Sequence, residues 1–350
     1  MPRAVCLGEG LVVLVARQAG PLEDATDFDR SAGGAEVNVA GVLSALGVRA
    51  CWVSRVGDDG FGRYLVRSVA DRGIDVSAVE VDPDRPTGIY IKERGGSTGL
   101  PTDLGAGNSR MHYFRRESAA SAMGPAFLEA GPPAGLLADA DLVHLTGITP
   151  ALSSSAAELT RDLVRRPRSG GLISFDLNFR PLLWGDRVGQ AAEVLAEITR
   201  SVDVALMGAD EAFAVWGLEG AEAIRAAFPG PRHLVIKNGG GRVTVCDGPD
   251  RVDIPALRVD IVEQIGAGDA FAGGYLAGLL RGLAVRERTR LGHLSAAAVL
   301  TSRADHHRLD WDDAVQQALT CGEQDWSELR VGHAGVPAAL AEQFGKRVDM

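Results

Sequence analysis

Lysine is almost absent from this 350-residue chain: Lys92, Lys237 and Lys346 are the only three among 36 basic residues, and the rest are arginine. The bias reads as genomic base composition. Acidic residues outnumber basic ones, 46 to 36, for a net charge of −10. That balance excludes a general binder of nucleic acid or anionic membranes, whose affinity rests on basic side chains and counterion release. An anionic substrate must therefore be held by local cations. The four cysteines, Cys6, Cys51, Cys246 and Cys321, stand singly, with no CxxC pair and no Cys/His spacing suited to zinc. They read as reduced thiols of a cytoplasmic protein. No run approaches the roughly 20 apolar residues of a membrane helix, and the N-terminal MPRAVCLGEGLVVLVARQ is broken by glycine and glutamate with no small-residue cleavage site. Nucleotide-binding signatures are missing as well. The chain has no GxGxxG in the right context, no Walker GxxxxGK[ST], and no HRD or DFG segment.

What is present is an alternation. Strand-length apolar runs (AVCLG, ACWVSRVG, DLVHLTGI, GLISFDLNF, VDVALMG, HLVIKNGG, GRVTVCDG) are separated by segments with apolar residues three and four apart, such as EVNVAGVLSALG and AAEVLAEITRSV. This pattern predicts an α/β fold, a doubly wound and mostly parallel sheet whose ligands bind at the carboxyl ends of the strands. LVVLVARQ and the pair TGIYIKERG and SRMHYFRR break the alternation and predict a small projecting sheet, a lid drawn from about 11–32 and 86–117. Lid strands with one apolar side suggest pairing between subunits, hence a homo-oligomer. Residues 328–350 lose the strand pattern and read as a C-terminal surface tail or short helix after a domain at 1–327.

The stretch QIGAGDAFAGGY, Gln264 to Tyr275, places small residues and an aspartate ahead of a helical run. Small residues let backbone N–H groups approach an anion, and a helix start adds a positive dipole end. Gly266, Ala267 and Gly268 are the expected anion hole. Asp269, in the first turn, is expected to stay ionised and to take a proton from an alcohol during phosphoryl transfer. On these residues alone, glycine for packing and aspartate as a helix cap account for the segment equally well.

GGAEVNVAGVLSALGVRACWVSRVGDDGFG, Gly33 to Gly62, taken with IGAGDAFAGG some 200 residues later, resembles the paired signatures of the ribokinase-like (PfkB) carbohydrate kinases. The resemblance covers roughly residues 4 to 327. It implies a ribokinase-like core with a β-sheet lid, ATP and Mg²⁺ as co-substrates, and phosphorylation of a sugar hydroxyl. The segments GGAEVNVA, TGIYIKE, YFRRESAAS, HLTGITPAL, FDLNFRPLLW and SRADHH are similar to the 2-keto-3-deoxygluconate kinase group, which implies a sugar-acid substrate.

Carried over by position, the resemblance implies that Gly34 and Asn38 hold the sugar's hydroxyl end, Tyr90 packs against it, and Arg180 lies between substrate and phosphate. Tyr113 and Arg115, two residues apart on a strand, would face one ligand, with Arg115 on a carboxylate. Asp305 matches an acidic position near the substrate. Asn178, Lys237, Gly239 and Gly241 match the nucleotide side, and His293 stands where an asparagine usually meets adenine or ribose. The family's NxxE run reads GADE, so that Gly208 replaces the asparagine while Glu211, linked indirectly to Mg²⁺, remains. Glu263 replaces an aspartate three residues before GAGD. These last two departures bear on metal and nucleotide handling.

Overall fold

The computed structural model describes residues 1–129, 131–167, 170–302 and 309–344. Its central sheet is built from β1 (Arg3–Leu7), β4 (Arg49–Gly57), β5 (Val79–Asp82), β8 (Leu142–Thr146), β9 (Leu172–Asp176), β10 (Val204–Gly208), β11 (His233–Asn238), β12 (Arg242–Asp247) and β13 (Asp250–Pro255). The spatial order is β13-β12-β11-β10-β9-β8-β1-β4-β5, with every pair from β5 to β11 parallel and the last two strands antiparallel. The inner strands β8 and β10 are buried at every position, as parallel strands covered on both faces must be. Alternation sends side chains to two cores. Along β1, Ala4 and Cys6 enter one with Phe271 and Tyr275, while Val5 and Leu7 enter the other with Phe175 and Trp184.

A second sheet holds β2 (Leu11–Ala16), β3 (Phe28–Gly33), β6 (Ile89–Arg94) and β7 (Ser109–Phe114) in the order β3-β2-β6-β7. Tyr90 faces Tyr113 across the antiparallel β6–β7 pair. The apolar runs did not reveal β3, β5 and β13, because FDRSAG, VEVD and DRVDIP are charged edge strands defined by their partners rather than by hydrophobicity.

The helices that matter for the site are α1 (Ala35–Ala45), α2 (Ala209–Trp216), α3 (Ala267–Leu280) and α4 (Val285–Leu300). Of the two readings of residues 328–350, a surface tail or a short helix, the structure shows the helix, and it is packed into the core rather than lying on the surface. β15 (Arg330–Val331) pairs with β14 (Arg258–Val259), and α5 (Gly335–Phe344) buries Val336, Leu340 and Phe344 in the core that contains Phe271. These apolar positions, together with Ala339, fall three and four residues apart, an amphipathic helix in a segment whose strand signal had ended.

Candidate active site

Parallel strands deliver their carboxyl ends to one edge of the sheet, and the chemistry collects there. β9 ends in Asp176 and runs on to Asn178, β10 ends in Gly208, and Lys237 stands near the end of β11. Opposite them is the start of α3. Gly266 caps the helix at φ 82°, a left-handed conformation that glycine adopts without strain, and Asp269 lies in the first turn. The Ala267 amide donates to the Gln264 carbonyl at 3.4 Å, a long bond that leaves the amide available to a better acceptor.

Both carboxylate oxygens of Asp269 are held. Asn38 Nδ2 of α1 donates to one at 2.8 Å and Asn178 Nδ2 to the other at 3.3 Å. Asn178 has φ 37°, rare for a residue with a side chain, and this conformation accompanies an amide directed at the aspartate. The sequence expectation for Asp269 is an ionised carboxylate, and the fold makes that carboxylate a weaker acid than usual. Burial pushes its pKa from 3.8 to about 6, and the nearby Asp176 adds to the rise, against the Asn38 hydrogen bond and the charges of Lys237 and Arg180.

Lys237 Nζ donates to Asp176 Oδ2 at 2.6 Å. A side chain at Gly268 would begin 3.8 Å from that ammonium, so a lysine stands at the anion hole beside the helix amides. Burial works against the charge, but Asp176, Glu211 and Asp269 outweigh it and hold the Lys237 pKa above the ordinary lysine value. Asp176 is 2% exposed and its other oxygen has no hydrogen-bond partner. The sequence reading passed over it, although it sits two residues before Asn178 on the same strand end. Glu36, also passed over, is buried under Thr146 (2.8 Å) and Thr149 (2.9 Å), and burial raises its pKa to about 7.

A cleft of about 1550 Å³ opens between the second sheet and the core, lined among others by Gly34, Asn38, Tyr90, Lys92, Glu263 and Gly266. Gly34 has φ 128°, and a Cβ there would meet the Glu9 carbonyl at 2.4 Å, so only glycine fits this approach. Tyr90 and Tyr113 pack with ring centroids 5.3 Å apart. Arg115 is not a free cation. It ion-pairs with Glu9, which is buried and also accepts from Ser118 Oγ at 2.7 Å. The signal for Glu9 was in the sequence: it is the one acid inside the apolar run at 4–16. Arg180, more than half exposed, reaches the Phe179 carbonyl at 2.9 Å and Glu211 at 3.2 Å.

Glu211, expected to bear on Mg²⁺ only indirectly, has both carboxylate oxygens occupied by protein donors. One oxygen takes the Phe179 amide (3.1 Å) and Arg180, and the other takes the Gly208 amide (2.9 Å) at the start of α2, so both are committed to backbone positioning. Among the described residues no group of three His, Cys, Asp or Glu could hold a metal ion. The donor set among the described residues does not fit a Mg²⁺ ligated chiefly by protein side chains. His293, matched by resemblance to the nucleotide side, is buried. It is 7% exposed, packed edge-on against Phe271 at 5.2 Å and close to Trp326, and burial lowers its pKa to about 4. Gly239, at φ 47°, and Gly241 form the turn between β11 and β12. Asp305 lies outside the described residues.

The sequence pattern described as pfkB family carbohydrate kinase matches residues 1–312. A 2-dehydro-3-deoxygluconokinase of Thermoproteus tenax is 34% identical over 317 residues, 90% of this chain and 93% of that protein. The crystal structure of a PfkB protein from Polaromonas sp. JS666 shares 33% identity at a TM-score of 0.74, covering 86% of this chain and 96% of that one. A putative ribokinase II from E. coli, crystallised with ATP and Mg²⁺, has the same fold at a TM-score of 0.77 and 20% identity, covering 89% and 96%. With a match that runs through both glycine-rich segments and the strand ends between them, this chain belongs to the pfkB family of carbohydrate kinases.

Proposed function

We propose that this sugar kinase transfers the terminal phosphoryl group of ATP to the 6-hydroxyl of 2-keto-3-deoxygluconate. The observation that carries the chemistry is the Asp269 carboxylate, fixed by Asn38 and Asn178 at the start of α3 beside Lys237. With a pKa of about 6 it is mostly ionised at neutral pH yet more basic than an ordinary carboxylate, which suits it to take the proton of an attacking hydroxyl. The amides of residues 266–268 and the Lys237 ammonium lie where charge develops on the transferred group. Asn178, Gly239 and Gly241 serve the nucleotide side, at the carboxyl ends of the strands where such sheets bind ligands. Mg²⁺ would arrive with the nucleotide, held by phosphates and water as this ion commonly is. The name of the T. tenax relative supports the sugar-acid substrate.

One observation favours a second reading, a neutral ketose. Glu9 already neutralises Arg115, so a substrate carboxylate there must share the guanidinium. A coupled ADP-release assay decides between them. Turnover with 2-keto-3-deoxygluconate at least tenfold above that with fructose or ribose supports the first reading, and the reverse order refutes it.

A further inference from the structure

Lys92 is one of two lysines among the described residues, and no role was expected of it. It lies on β6 two residues from Tyr90, hence on the same face of the strand. Its side chain is one-tenth exposed and its ammonium pairs with Glu263, 171 residues away in the loop before α3. Both line the cleft between the second sheet and the core.

The pair connects to the anion hole through backbone atoms. Glu263 Oε1 accepts from the amide of Gln264 at 3.0 Å and from that of Ile265 at 3.4 Å. The Gln264 carbonyl in turn accepts the Ala267 amide, one of the hole's own donors. The start of the loop is anchored independently, because the amides of Val262 (2.8 Å) and Glu263 (3.2 Å) both donate to the Leu300 carbonyl at the end of α4. The part of the loop whose geometry depends on the Glu263 side chain is therefore 264–267, the segment that aims the hole.

A partly buried ion pair is a poor device for stability alone, since such pairs contribute little and apolar residues of similar size often do as well. A lysine carried by one sheet and a carboxylate carried by the loop of another unit can, however, link two positions. We propose that Lys92 and Glu263 are positioning residues that couple the seating of the β2-β3-β6-β7 sheet over the cleft to the alignment of the anion hole. With the sheet seated, the ammonium fixes Glu263 and thereby the 264–267 backbone. With the sheet lifted, the pair separates and the hole loses its register. ATP bound without a sugar then meets a misaligned hole, which limits transfer of the phosphoryl group to water. The inference rests on the carbohydrate-kinase activity of the family and not on the identity of the sugar.

The test uses the full chain and whichever sugar the parent protein phosphorylates, so an error in the proposed substrate shows in the parent and not in the variants. Lys92→Met, Glu263→Gln and the double variant are compared by kcat and KM for the sugar, by ATP hydrolysis without sugar, and by thermal unfolding. Each single change is expected to lower kcat by roughly tenfold or more with the sugar KM within about threefold, because the loss falls on the transferring group rather than on sugar binding. The double variant is expected to lose no more than the worse single one, as two residues acting through one contact should. A protein whose Tm has collapsed is replaced by the exchange variant Lys92→Glu/Glu263→Lys, in which the pair can re-form and partial recovery of kcat is expected. The proposal is overturned if Glu263→Gln retains parental kcat while Lys92→Met does not, which would make Lys92 a direct ligand contact. It is equally overturned if the two effects multiply, if both singles retain parental kcat, or if the exchange variant recovers nothing.

Discussion

Replacing Asp269 by asparagine keeps the shape of the side chain and removes its charge, and the structure predicts opposite effects on activity and stability. The carboxyl, ordinarily titrating at 3.8, titrates in the fold at about 6. Holding it ionised there costs ~3 kcal/mol. Above pH 6 the group is charged in both folded and unfolded chains, so the full cost weighs on the native state. As pH falls from about 6 to about 4 the folded carboxyl takes up its proton first and the cost fades. Asp269→Asn is free of it, and because the shifted value already contains the attraction of Lys237 and Arg180, the gain at pH 8 is up to about 3 kcal/mol, up to about 4 °C in Tm for a chain of this size. Turnover should fall by about 10²–10⁴, the usual contribution of a general base. The assays are thermal unfolding of both proteins between pH 4 and 8 and the pH dependence of kcat/KM for the parent. The parental profile should drop about tenfold per pH unit below 6 as the base is protonated. An acidic limb near pH 4, or a variant less stable than its parent at pH 8, refutes the reasoning.

Asp176→Asn removes a negative charge beside Asp269 and the partner of Lys237, so the acidic limb should move to lower pH while kcat falls about 10- to 100-fold; pH–rate profiles read both. Arg115→Ala should raise KM for a sugar acid about 10- to 100-fold, as lost charge-assisted hydrogen bonds do, and leave a neutral ketose within about twofold. In the same variant Glu9 remains buried without its counter-charge, so Tm should also fall, and an unchanged Tm would contradict the pairing described here. Gly34→Ala forces a Cβ to 2.4 Å from the Glu9 carbonyl at φ 128° and should cost about 1–3 kcal/mol in urea unfolding along with loss of turnover.

Composition and periodicity alone determined the fold class. Mostly apolar runs of strand length at β8, β9, β10 and β11, alternating with helical periods, admit little besides a parallel sheet covered on both faces. The glycine-aspartate segment was legible too, because the backbone conformation at Gly266 and the acid of the first turn are local properties of consecutive residues. What only the tertiary structure decided are the pairings between distant residues. Asn38 and Asn178 meet on Asp269 from 231 and 91 residues away, Lys237 reaches Asp176 across 61, and Lys92 reaches Glu263 across 171. Nothing in the residues around Arg115 says that Glu9 neutralises it, nor around His293 that Phe271 and Trp326 enclose it. The physical reason is one of range. Apolar periodicity and turn chemistry act over a few neighbours, whereas desolvation and charge partnership, which set the acidity of Asp269 and the state of Arg115, exist only once the chain has folded.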